Sequence, residues 1–173
     1  MKKRIVLIIG IIVVLFGALF GIHHVATNGD SDGDNVVKIA VYPTGTLSHT
    51  YLVKLNADNG RLSVECGTRN IDMNGIDFSD KHFFMRELGL NYEKDNVKLS
   101  NDEVAEVINM LNAIYDDESC IYTGEVTDSW AITILYNNEM LKNNSFKKSP
   151  ELKELVNKLL DKTDIEHKFQ GFS

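Results

Sequence analysis

Proline is nearly missing from this chain, which has only Pro43 and Pro150. That excludes a collagen-like or polyproline rod and leaves long stretches free to form helices and strands. Cysteine is equally scarce, and two residues, Cys66 and Cys120, cannot build the framework of a disulfide-stapled mini-domain. Basic charge is also lacking: no Lys or Arg occurs between Arg4 and Lys38, and the chain sets 18 Lys and Arg against 25 Asp and Glu. Without Lys2, Lys3 and Arg4 the balance is 15 against 25, a net charge of −10. Such a surface is poorly suited to nucleic acid or anionic lipid, both of which need a basic footprint. Signatures of chemistry are missing too. There is no G-x-S-x-G, no phosphate-binding glycine loop and no H-E-x-x-H. His49, His82 and His167 lack the spacing of metal ligands, so no metal or cofactor is expected.

What the chain does have is an uninterrupted apolar run from Ile5 to Ile22, preceded by Met1-Lys2-Lys3-Arg4. At the rise of a helix this run spans about 27 Å, the thickness of the hydrocarbon part of a bilayer. The basic flank keeps residues 1–4 in the cytoplasm and directs everything after residue 22 outward. A cleaved signal peptide has a shorter apolar region and small residues at its exit. Here Ala18-Leu19-Phe20 places a ring where a small residue should be, and Ile22-His23-His24 offers none. Retention as a single-pass signal anchor is therefore the leading expectation, with cleavage after Val25-Ala26-Thr27 as the alternative. Gly10, Gly17 and Gly21 share one helix face, and Gly17-x-x-x-Gly21 has the spacing that lets two membrane helices pair into a homodimer.

Residues 23–35 read as an acidic, flexible linker. Thr27 to Asn35 has no apolar side chain. Asn28, Asp30, Asp32 and Gly33 resemble the start of a calcium loop. The twelfth position of such a loop requires a bidentate Glu, however, and here it is Ile39, which favours a solvated tether.

Residues 36–173 suit one exported domain. Val37, Ile39 and Val41 alternate like a strand, which Pro43-Thr44-Gly45-Thr46 ends in a turn. Asn59-Gly60 predicts a two-residue hairpin turn, pairing Asp58 with Arg61, Asn56 with Ser63 and Lys54 with Glu65 on one face. The other face then pairs Ala57 with Leu62, Leu55 with Val64, Val53 with Cys66 and Tyr51 with Thr68. Ser79 would cap a short helix over 80–88, and the capping box Ser100-x-x-Glu103 opens a longer one through Tyr115. Trp130 to Tyr136 reads as a strand apolar on both faces, and Asn137-Asn138 as a turn into a strand through Met140 and Leu141. Ser149-Pro150 starts a last helix with Leu152, Leu155, Val156, Leu159 and Leu160 inward. Ile165, His167 and Phe169 suggest a closing strand. The sum is an α+β domain, an antiparallel sheet covered by two or three helices.

Candidate binding residues gather at strand ends: Thr46 and His49, Arg69 and Asn70, Asp128 and Trp130. The hairpin count sets Thr50 opposite Arg69 and His49 opposite Asn70. Arg69 with Asp128 would make an ion pair, read first as a lock between loops and sheet and second as a groove. Cys66 and Cys120 are open between a disulfide and two buried thiols. Pro43-Thr44-Gly45-Thr46-Leu47, Gly67-Thr68-Arg69-Asn70, Thr127-Asp128-Ser129-Trp130 and Gly171-Phe172-Ser173 together resemble small membrane-anchored extracytoplasmic proteins of Gram-positive bacteria. That resemblance implies the same location and carries no activity. The first functional expectation is a non-enzymatic binding or accessory module of the cell envelope, whose partners are the bilayer and an envelope protein. The alternatives are an inhibitor or immunity-type protein, and then an envelope enzyme using Arg69 and Asp128.

Overall fold

The computed structural model describes residues 35–44, 49–68, 92–126 and 128–169. The apolar segment Ile5–Ile22 with Gly10, Gly17 and Gly21, the tether up to residue 34 and the helix expected over 80–88 lie outside the described residues. Gly33–Ser173 forms one compact unit. Among the described residues, no helix is long and apolar enough to cross a membrane.

Among the described residues the unit is one six-stranded antiparallel sheet with two α-helices against it. In chain order the elements are β1 (Val36–Pro43), β2 (His49–Asn56), β3 (Arg61–Thr68), β4 (Glu93–Lys98), α1 (Asn101–Tyr115), β5 (Trp130–Tyr136), β6 (Glu139–Asn143) and α2 (Pro150–Leu160). The sheet order is β4-β3-β2-β1-β5-β6. On its first face Val37, Ile39, Val41, Val53, Leu55, Leu62, Val64, Ile132 and Ile134 meet Val107, Leu111 and Ile114 of α1 and the five inward residues of α2 in one apolar core. Alternation along the strands and 3.6-residue spacing along the helices aim these side chains at each other, and their burial drives the packing. The second face is covered as well, since Ala40, Thr50 and Leu52 are completely buried.

The β2–β3 hairpin differs from the expected one by two residues. Asn56 pairs with Arg61, Leu55 with Leu62, Val53 with Val64 and Tyr51 with Cys66, so Ala57–Gly60 forms a four-residue connection. Gly60 alone has a positive φ, +66°, whereas the two-residue turn would need one at Asn59 as well. Side chains stabilise the wider loop: Asn56 Oδ1 accepts from the Asn59 amide at 3.1 Å, and Asn59 Oδ1 accepts from the Arg61 amide at 2.9 Å. A shift of two leaves every side chain on its expected face, so the core pattern survives the change of register. At the β5–β6 hairpin the two-residue turn does form, with φ of 50° at Asn137 and 61° at Asn138.

Two further elements depart from expectation. β4, reading Glu-Lys-Asp-Asn-Val-Lys, is a charged edge strand with no apolar alternation to betray it. Residues 165–169 form no strand. Ile165 is buried, and Phe169 packs on Tyr51, Trp130 and Phe146 with ring centroids 5.4, 5.1 and 5.4 Å away.

Candidate functional site

The ends of β1, β3 and β6 lie at the same end of the sheet as the starts of β2, β4 and β5, because Pro43 pairs with Trp130, His49 with Thr68 and Cys66 with Glu93. The chain is clasped there. Thr44 donates its amide to the Ser129 carbonyl at 2.8 Å, and its Oγ1 both donates to that carbonyl and accepts the Ser129 amide, each at 3.0 Å. Asp128 precedes the clasp with φ at 54°, an exposed residue in the left-handed region that Asp tolerates better than most.

Of the expected site residues, His49 and Asp128 are exposed at this end. His49 stands opposite Thr68 and Thr50 opposite Gly67, which replaces the expected partners Asn70 and Arg69. Thr46, Arg69 and Asn70 lie outside the described residues, and with them the Arg69–Asp128 pair. Trp130 is no surface ligand: only 2% exposed, it belongs to the core beside Tyr51 and Phe169. Cys66 and Cys120 are free, buried thiols rather than a bridge. Burial, then the charge of Glu93, pushes the Cys66 thiol up to about 12.

A polar network that the sequence did not suggest ties β6 to its neighbours. Asn143, buried, donates to the Cys120 carbonyl at 2.9 Å and to Ser149 Oγ at 3.1 Å, and its Oδ1 accepts the Ser145 amide at 2.8 Å. Ser149 stands just before α2, but its hydroxyl is taken by Asn143 and does not cap the helix.

The second face carries another set, also unforeseen. Tyr42 and Thr133 share a hydrogen bond at 3.3 Å. Glu65, expected on a solvated face, is only 4% exposed. Its Oε1 accepts from Lys94 Nζ at 2.7 Å, while Oε2 and the hydroxyl of buried Thr50 have no hydrogen-bond partner. Buried polar groups are normally satisfied, so two such acceptors on neighbouring strands need an explanation. Tyr92, half exposed, hydrogen-bonds to this carboxylate; desolvation first, then the Glu65 charge and that bond, push it up to about 12. Ala40, Ala131 and Gly67 on the same face leave it a low floor. The only signal in the sequence was this alternation of small residues with Thr50 and Glu65, which reads equally well as a solvated face.

These groups can accept hydrogen bonds and hold a cationic or amide donor. Among the described residues no three His, Cys, Asp or Glu side chains gather to hold a metal. Cys66 faces the apolar core, away from Glu65 and Thr50. Comparison with family models, curated proteins and solved structures gives no match.

Proposed function

We propose that this protein is a non-enzymatic binding module held at the outer face of a cell membrane by Ile5–Ile22, with an envelope protein as its partner. The observation that carries the binding reading is the buried Glu65 carboxylate, whose Oε1 takes Lys94 and whose Oε2 has no hydrogen-bond partner, next to the buried Thr50 hydroxyl that also has none. Unmet acceptors on a rigid sheet favour recognition of a donor group. The basic flank and apolar run of the sequence support the location.

The intact protein, extracted from membranes in detergent and recovered by affinity, tests this reading. A partner should accompany the wild type reproducibly and be lost from Glu65→Gln, which keeps the shape of the side chain. Equal melting temperatures would show that binding, not folding, was affected. Recovery of the same proteins with both forms would overturn the role of Glu65.

A further inference from the structure

The second face of the sheet concentrates cations that the acidic composition hides. Lys38, Lys54, Arg61, Lys94, Lys98 and Lys142 all project from it, by the strand register. Among the described strand residues the carboxylate on this face is Glu65, which Lys94 engages. At one edge like charges stand directly opposite, Arg61 with Lys98. Such pairs destabilise a sheet. Lysines on an edge strand deter aggregation, which accounts for Lys94 and Lys98 on β4. It does not account for Arg61 on β3, an interior strand.

Arg61 and Lys98 are exposed and, with Asn59, Asn96 and Val97, line an open concavity of about 310 Å³. Two cations and two side-chain amides border it, donors of the kind that bind a phosphate group. The place of this concavity in the fold suggests where the phosphate comes from. Lys98, Arg61, Asn56 and Val36 form one row across β4, β3, β2 and β1, and Val36 is the first residue of β1. The row therefore lies at the end of the sheet where the preceding chain enters. We infer that the Arg61–Lys98 row docks on the phosphate headgroups of the anionic lipid membrane that carries the protein, orienting the domain on its tether. This rests on the anchored reading proposed above. If residues 23–34 act as the tether that their composition leads one to expect, the domain stays within about 20 Å of the membrane, so weak attraction at each cation suffices.

The test uses the intact chain, presented to vesicles of phosphatidylcholine alone or mixed with phosphatidylglycerol. Flotation with neutral vesicles reports the anchor. Acetylation of Lys98, followed by mass spectrometry with Lys153 on α2 as the reference, reports the face. In the anionic membrane Lys98 should be acetylated several-fold more slowly than in the neutral one, while Lys153 is unchanged. High salt should restore the rate by screening. Arg61→Ala should weaken the protection about fivefold, with its melting temperature retained because Arg61 is exposed. A chain that floats with both vesicles but labels Lys98 equally in both keeps its anchor and overturns the docking face. A chain that floats only with anionic vesicles, and loses this in Arg61→Ala, supports the face and overturns the anchor.

Discussion

Gly60 shows how much one backbone angle decides. With φ at +66°, a Cβ built on it would lie 2.7 Å from the Leu99 carbonyl oxygen, which belongs to rigid backbone. The Gly60 carbonyl in turn accepts the Leu99 amide at 2.9 Å, so this glycine joins the hairpin to the segment leading into α1. Gly60→Val should cost about 1–3 kcal/mol from backbone strain alone, with the steric contact added. Asn59 has no positive φ. Asn59→Val should therefore lose only its side-chain bond to the Arg61 amide, about 1 kcal/mol. Denaturant melts of the two variants check this; equal losses would restore the two-residue turn. The same residue scale governs the thiols. With Cys66 held at about 12, and Cys120 also pushed up by burial and then by Asp117 and Glu151, neither thiol is a nucleophile in the folded protein. A thiol reagent at mildly alkaline pH should label neither cysteine until denaturant is added, and then both. Labelling of one in the native state would contradict its burial.

At the scale of elements, α1 illustrates what local sequence can specify. Ser100 Oγ accepts the Glu103 amide at 3.3 Å and Glu103 Oε2 accepts the Ser100 amide at 2.8 Å, the reciprocal box that the spacing predicted. Glu103 also reaches across to Lys162 at 2.5 Å, just past α2, while Glu106 meets Lys158 at 2.6 Å. The bond from Lys162, then those from Ser100, hold the Glu103 carboxyl down at about 2 from an ordinary 4.5. A carboxyl depressed in the folded state stabilises above its unfolded value, and that contribution fades as pH falls from about 4.5 through about 2. Glu103→Gln should therefore flatten the acid limb of stability in that window, with its largest effect near neutral pH and none at the acid extreme. Thermal melts across pH check it, and a parallel acid limb would refute it. Both α-helices and the faces of β1, β2, β3 and β5 were legible because period and capping are local properties. β4 was not, because an edge strand among solvated charges lacks the apolar alternation of a buried one. Nor was the hairpin register, since Asn-Gly favours a two-residue turn and only the bonds around Asn56 and Leu99 select the longer one. His49 and Asp128 came out at the expected end of the sheet. Glu65 and Thr50 did not, because burial of the second face is a tertiary fact that strand alternation cannot report.

At the scale of the whole molecule, the described core belongs to one compact unit. Among the described residues the core runs from Val37 to Ile165, so their apolar burial lies within the compact unit Gly33–Ser173. The place where a soluble chain should begin is finer than hydropathy alone would set it. Val36 opens β1, but Asn35 already belongs to the fold: its carbonyl accepts the Ala57 amide at 2.9 Å and its Nδ2 donates to Asp58 Oδ1 at 2.6 Å. These two bonds fasten the entering chain to the β2–β3 connection. A chain from Gly33 to Ser173 should thus unfold cooperatively without detergent or lipid. A chain from Val36 should do the same but be weaker by about 1–2 kcal/mol, the worth of two bonds of which one involves a charged group. Circular dichroism melts and urea titrations of both chains measure the difference. Equal stability would remove Asn35 from the folding unit. If instead both chains aggregate from the outset, yet fold once Met1–Asp32 is restored in detergent, the apolar segment is needed for folding.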